Sequence, residues 1–343
     1  LAWGKDAKCS EKWQKRFFLT AYILNQFEDL LAKLHYSLYF CIQLTISMSN
    51  PNKILVPIDF SEQAIIAFEQ AQNLAKVFNA EITLLFIEEE SGLIGRLFSD
   101  DNEQMERKKI HEQLQHKLDS FAKEAETKSG VRTETMISHG KIYDKVTEVA
   151  EMIGATFICM GTNGSIGIKK KFIGSNALRV VRESKIPVIT IHGKNHRRGC
   201  KNIVLPLDLT KETREKVNRS VEFAKHFGST IRVVSVITST DEFVVNRLTR
   251  QMDQVQKFIE KENVECTAEI IRSGRTGESV ADSVIDYANK VKADLIIIMT
   301  QQELDFTEMF IGSAAQEMIN NSEIPVMSIV PQLKRDTTVF HPY

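Results

Sequence analysis

From residue 53 onward, short apolar runs alternate with longer stretches whose apolar residues recur every three or four positions. The runs at 53–58, 81–87, 132–138, 156–160 and 187–191 are β-branched and nearly continuous. That is the pattern of strands covered on both faces. Between them lie helical patterns. Ser61 stands where it can cap the first, and Ala64, Phe68, Ala71 and Ala75 follow at helical spacing. Asp101 to Lys128 is charged and rich in helix formers, with Ile110, Leu114, Leu118 and Phe121 on one stripe. Tyr143 to Met152 and Asn176 to Glu183 read as the third and fourth helices. Strand and helix alternating with short connections predict a parallel, doubly wound α/β sheet.

The pattern then returns. Lys53-Ile54-Leu55-Val56-Pro57-Ile58-Asp59-Phe60-Ser61 is echoed by Asn202-Ile203-Val204-Leu205-Pro206-Leu207-Asp208-Leu209-Thr210, 149 residues on. Ala155 to Ile191 is echoed by Ala293 to Ile329, 138 residues on, including Phe172-Ile173-Gly174-Ser175 against Phe310-Ile311-Gly312-Ser313. A duplication of this period marks tandem domains. The expected organisation is a first domain over 48–193, a linker over 194–201, a second domain over 202–333 and a tail over 334–343. Residues 1–47 hold both tryptophans and look unlike the rest. The expectation is that the native chain starts at Met48 and that 1–47 is upstream or appended sequence; an amphipathic anchor or partner helix is the alternative.

Composition narrows the function classes. A net charge of -1 over 343 residues gives no electrostatic case for nucleic acid or an anionic membrane. No run approaches the ~18 apolar residues of a membrane span. The five cysteines lie apart, without metal spacing, as in a reducing cytoplasm.

The chemistry concentrates at Gly161-Thr162-Asn163-Gly164, which follows a strand, and at Gly174-Ser175, which precedes a helix. Glycines at a strand end let backbone N–H groups approach an anion, and a helix N-terminus supplies further donors and a favourable dipole. In an open sheet of order 3-2-1-4-5, strands one and four are neighbours at the switch point where ligands bind. Asp59 would then share a crevice with Gly161. Plainer readings stand beside these: Asp59 as a turn residue, the glycines as turn formers, and Lys169-Lys170-Lys171 as a solvated face. His139 reads as a loop residue, His192 and His196 as linker, Cys159 as inert core, and Ser279 as a helix cap after Gly274 and Gly277. There is no G-x-x-x-x-G-K-[ST], and nothing in sequence positions a base or arginine for phosphoryl transfer.

With the duplication and the strand-one V-P-x-D-x-S, these motifs resemble the universal stress protein family in its tandem form, from Lys53 to Val330. Gly161, Gly164, Gly174 and Ser175 meet the pattern of its ATP-binding subclass. The resemblance implies flavodoxin-like or Rossmann-like domains, each a five-stranded parallel sheet. It implies contacts to an adenine nucleotide from Pro57, Asp59, Ile87, Gly161, Gly164, Gly174, Ser175 and Asn176. Mg would ride on the ATP phosphates, with no direct protein ligation expected. In the second half Met299 and Gln302 replace the two glycines and Glu303 adds charge, so that site is expected to be degenerate. The expected role is a nucleotide-dependent sensor or regulator in stress response. The alternatives are a slow hydrolase or nucleotidyl-transfer enzyme of the adenine-nucleotide α-hydrolase-like group, and a nucleotide-free scaffold. The two domains are expected to pair within the chain through Pro187–Ile191 and Pro325–Ile329. Homodimerisation and protein partners are left open.

Overall fold

The computed structural model describes residues 52–89, 101–162, 174–192, 199–207, 213–237, 241–273, 278–300 and 312–330. The expectations for residues 1–47, the linker histidine His196 and the 334–343 tail lie outside them. The first half runs β1 (Asn52–Pro57), α1 (Glu62–Phe78), β2 (Ala80–Glu88), α2 (Asp101–Ser129), β3 (Thr133–His139), α3 (Ile142–Met152), β4 (Phe157–Gly161), α4 (Ser175–Glu183) and β5 (Val188–Ile191). The second runs β6 (Asn202–Pro206), α5 (Thr213–Phe227), β7 (Thr230–Ile237), α6 (Glu242–Lys261), β8 (Cys266–Arg272), α7 (Val280–Lys290), β9 (Leu295–Met299), α8 (Ser313–Asn321) and β10 (Val326–Ile329).

The strands form one sheet of ten, ordered β3-β2-β1-β4-β5-β10-β9-β6-β7-β8. Each half therefore has the expected order 3-2-1-4-5, all parallel within itself. The halves join where β5 meets β10 antiparallel, with Thr190 opposite Val326 and Val188 opposite Ser328. The Thr190 hydroxyl adds a hydrogen bond to the Val326 carbonyl at 3.2 Å. The expected pairing through the last strands is thus what fuses two five-stranded sheets.

Alternation along the strands sorts the core into two layers. Ile54, Val56, Ile82, Leu84 and Phe157 face α1 and α2, with Ala67, Phe68, Ala71 and Leu118 against them. Leu55, Leu85 and Ile158 face the other way, onto Val146 and Val149 of α3 and Val180 of α4. The second half repeats this, with α5 and α6 on the first face and α7 and α8 on the second. Phe78, ending α1, crosses the junction between halves. Its ring stands edge-on to Phe227 of α5 at 4.6 Å and lies 5.5 Å from Phe223.

Local signals act where the sequence puts them. The Ser61 hydroxyl accepts from the Ala64 N–H at 3.2 Å and starts α1. Ser279 caps α7 in a reciprocal box with Asp282, as read. The stripe on α2 needs one correction: Leu118 is fully buried, but Ile110 is 62% exposed. Apolar spacing continues along α2 past the point where the sheet beneath it ends.

Candidate functional site

The carboxyl ends of β1 and β4 lie side by side, with Leu55 opposite Ile158, and this is where the strand order reverses. Pro57 closes β1, half-buried, opposite Leu85. Asp59 follows, exposed, and its Oδ1 accepts from the Ser61 N–H at 3.0 Å. The turn reading of Asp59 therefore holds. Between them Phe60 has φ 59, a left-handed conformation uncommon for a bulky residue. Its ring packs edge-on to Phe121 at 5.7 Å and beside Phe86 at 6.1 Å, and the Lys117 ammonium lies 4.1 Å from its centroid. These contacts hold the turn, and so the orientation of Asp59. Sequence reading missed Phe60, although an aromatic between Asp and a capping Ser marks a turn that packing must enforce.

Ile87 is half-buried in β2 opposite Ser138, two residues beyond the Leu85 that pairs with Pro57. Gly161 closes β4 opposite Ile191. Gly164 and Lys169-Lys170-Lys171 lie outside the described residues, as do Gly274 and Gly277. The two ends of the glycine-bounded segment meet directly: the Gly174 N–H donates to the Thr162 carbonyl at 2.7 Å. A Cβ at Gly174 would come within 3.1 Å of that carbonyl oxygen. One at Gly161 would come within 2.9 Å of the Gln63 backbone carbon. Both glycines thus have a packing reason to be glycine, independent of any anion.

Ser175 is the first residue of α4, exposed, one residue earlier than the spacing predicts, and Asn176 follows half-buried. Gly174 caps α4 without a side-chain acceptor, and the first turn carries no acidic residue. Three other described helix starts carry both a side-chain cap and an acidic residue, Ser61 with Glu62 at α1, Asp241 with Glu242 at α6 and Ser279 with Asp282 at α7, while α3 starts at Lys141 without a side-chain cap bond but with Asp144 in its first turn. The start of α4 thus presents the positive end of the helix dipole with neither a side-chain cap nor an acidic residue in its first turn.

The second half shares this helix start but not the crevice. Gly312 caps α8, again without a side-chain acceptor. Met299 occupies the place of Gly161 and is buried. Lys216, 149 residues after the buried Ala67, is itself buried and donates from Nζ to the Pro206 carbonyl at the end of β6 at 3.1 Å. At these two positions the second half thus carries a methionine and a cation where the first has Gly161 and Ala67. Asp208, Gln302 and Glu303 lie outside the described residues.

His192 is not plain linker. It follows β5, half-buried, with Nδ1 2.8 Å from the Thr162 hydroxyl oxygen. Burial holds its imidazole below the ordinary histidine range, and the Glu323 carboxylate opposes that shift. His139 is not a loop residue either: it ends β3, with Nδ1 2.8 Å from Glu88 Oε2. The thiol of Cys159 is fully buried and donates to the Ala67 carbonyl, and burial pushes its pKa well up. Cys266 is pushed up to about 12 by burial and then by Glu260. Both thiols are poor nucleophiles. Among the described residues, no helix is long and apolar enough to cross a membrane.

The sequence matches the profile of the Universal stress protein family over residues 51–192 and again over 199–329. A universal stress protein of Methanocaldococcus jannaschii is 31% identical over 139 residues, spanning 40% of this chain and 81% of its own. Universal stress protein YxiE of Bacillus subtilis is 29% identical over 145 residues, spanning 41% of this chain and 98% of its own. Among solved structures, a universal stress protein from Archaeoglobus fulgidus superposes with a TM-score of 0.61 at 20% identity, covering 81% of this chain and 96% of that one. This last likeness is one of fold.

Proposed function

This chain belongs to the universal stress protein family, and on that premise we propose that its first domain binds an adenine nucleotide, ATP carrying Mg. The observation that carries the reading is the start of α4. An exposed Ser175 and a helix N-terminus with neither side-chain cap nor acidic residue stand at the switch point of the sheet. Backbone N–H groups and the Ser175 hydroxyl suit phosphate oxygens. Asp59, held by the Phe60 turn, suits ribose hydroxyls, and the half-buried Ile87 with Pro57 suits the base. Gly161, Gly164 and Asn176 complete the set through the family motif. Mg, when bound, neutralises phosphate charge; the chain's own part is to bind and orient the nucleotide.

The second domain is read as degenerate, because Met299 and Lys216 occupy its crevice. The protein then acts in the cytoplasm as a nucleotide-dependent regulator in stress response. Occupancy of one domain is felt by the other through the shared sheet, to the extent that the nucleotide favours one arrangement over another.

The test is calorimetric titration of the full chain with ATP and Mg, beside Ser175→Asp. An aspartate at the first helical position favours the helix by about 0.3–1 kcal/mol, so the fold is kept. The same charge opposes a phosphate a few ångströms away, and ATP should bind roughly tenfold more weakly or worse. Undetectable binding by the parent at millimolar ATP, or equal binding by the variant, overturns the assignment. Turnover measured under excess ATP and Mg separates a regulator from the hydrolase or nucleotidyl-transfer alternative.

A further inference from the structure

Three side chains that the nucleotide reading leaves aside converge on one point. Glu88 is the last residue of β2 and His139 the last of β3, and the two are register partners on neighbouring parallel strands. The Gly140 N–H donates to the Glu88 carbonyl at 3.1 Å and closes the ladder beyond them. On the same face α2 runs along β3. Gln115 donates to the Thr135 hydroxyl at 3.1 Å, and that hydroxyl donates to Asp119. One turn towards the N-terminus of α2 from Gln115 comes His111, and four residues along β3 from Thr135 comes His139. The pairing of helix to strand therefore brings the second imidazole to the first. The rings stack at 5.7 Å between centroids and 26° between planes. The Glu88 carboxylate lies between them, Oε1 3.4 Å from His111 Nδ1 and Oε2 2.8 Å from His139 Nδ1.

We propose that Glu88, His111 and His139 form a binding site for a zinc-type divalent cation. One ligand atom from each residue lies within 4.8 Å of the other two. A tetrahedral zinc with bonds of about 2.0–2.2 Å needs its ligand atoms roughly 3.3–3.6 Å apart. The His111 side chain is 42% exposed and that of His139 61%, so rotation of the rings can close the difference without moving the backbone. Two imidazoles and one carboxylate select zinc, cobalt or nickel over magnesium, which prefers oxygen ligands and keeps its water. Three protein ligands leave a fourth position open to water or an exogenous donor. The three residues come from three elements and are 23 and 28 apart in sequence, so no short motif announces them. The proposal departs from the reading of His139 as a loop residue and from the expectation of no direct protein ligation to a metal. It does not rest on nucleotide binding.

The experiment uses the full chain, without any polyhistidine tag and stripped of metal with a chelator. It is titrated with Zn²⁺ by calorimetry and with Co²⁺ by visible absorption, in the absence of nucleotide. The parent should take up one more equivalent than the double variant His111→Gln/His139→Gln. Each single variant, and Glu88→Gln, should weaken that site about tenfold or more, since even partners outside the ligand set cost 10–100-fold. The Co²⁺ spectrum of the extra equivalent should show ligand-field bands without sulfur charge transfer. Equal stoichiometry and affinity in parent and double variant would overturn the site. So would a sulfur charge-transfer band on the equivalent in question, which would assign it to cysteine. Matching unfolding temperatures of the metal-free parent and variants show that lost binding is lost ligation.

Discussion

Gly161 at the end of β4 lies so close to Gln63 in the first turn of α1 that an added Cβ would fall 2.9 Å from the Gln63 backbone carbon and 3.0 Å from its carbonyl oxygen. Backbone cannot yield as a flexible side-chain tip can. Gly161→Ala should therefore destabilise the protein by about 1–3 kcal/mol, the range for overpacking a tight site. The measurement is the unfolding midpoint in urea without nucleotide. A midpoint unchanged by the substitution would show that the helix and strand separate freely. The same relationship makes Gly161→Asp a poor probe of nucleotide binding, because the fold would suffer before any ligand was added. Ser175→Asp avoids that confusion.

Much of this arrangement is legible in the sequence, because each signal is local. Continuous β-branched runs mark two-sided strands, Ser61 and Ser279 mark helix starts, and the repeat of Asp59 as Asp208 marks the duplication. What escaped reading depends on the third dimension. Ile110 carries the right spacing, yet α2, at 29 residues, is about 44 Å long, while the seven-residue β3 spans about 23 Å. The helix outruns its support near His111, and Ile110 is left exposed. Gly161 is legible as a glycine at a strand end, but the Gln63 backbone that demands it is nearly a hundred residues away in sequence. Glu88, His111 and His139 meet only because β2 pairs with β3 and α2 packs back over them.

Phe78 ties the two halves from the face opposite α4. It belongs to the first half, whereas its partners Phe223 and Phe227 belong to the second, and it also lies 5.4 Å from Phe157 of its own sheet. Phe78→Ala should cost about 3–5 kcal/mol, as for other buried phenylalanines. Part of that loss should be shared with Phe227. A double-mutant cycle with Phe227→Ala should give a coupling of roughly 0.5–1.5 kcal/mol. Strict additivity in denaturant unfolding would mean that the helices α1 and α5 merely lie near one another.

His192 makes part of the stability depend on pH, with a sign its surroundings determine. Burial lowers the folded-state pKa below that of an ordinary histidine, against the opposing pull of Glu323. The unfolded chain then binds more protons than the folded one as pH falls below about 6.5, so this contribution is present at and above neutral pH and is lost in mild acid. Protonation would also remove the acceptor that a neutral ring can offer the Thr162 hydroxyl, 2.8 Å from Nδ1. Thr162 in turn accepts the Gly174 N–H just before α4. Acid should therefore loosen the connection that sets the start of that helix. His192→Gln keeps a polar side chain but cannot titrate. Between pH 7.5 and about 5.5 the parent should lose more unfolding temperature than the variant does. Because all other titrating groups are common to both proteins, the difference isolates His192. Parallel pH profiles would show that the ring does not change charge in this range.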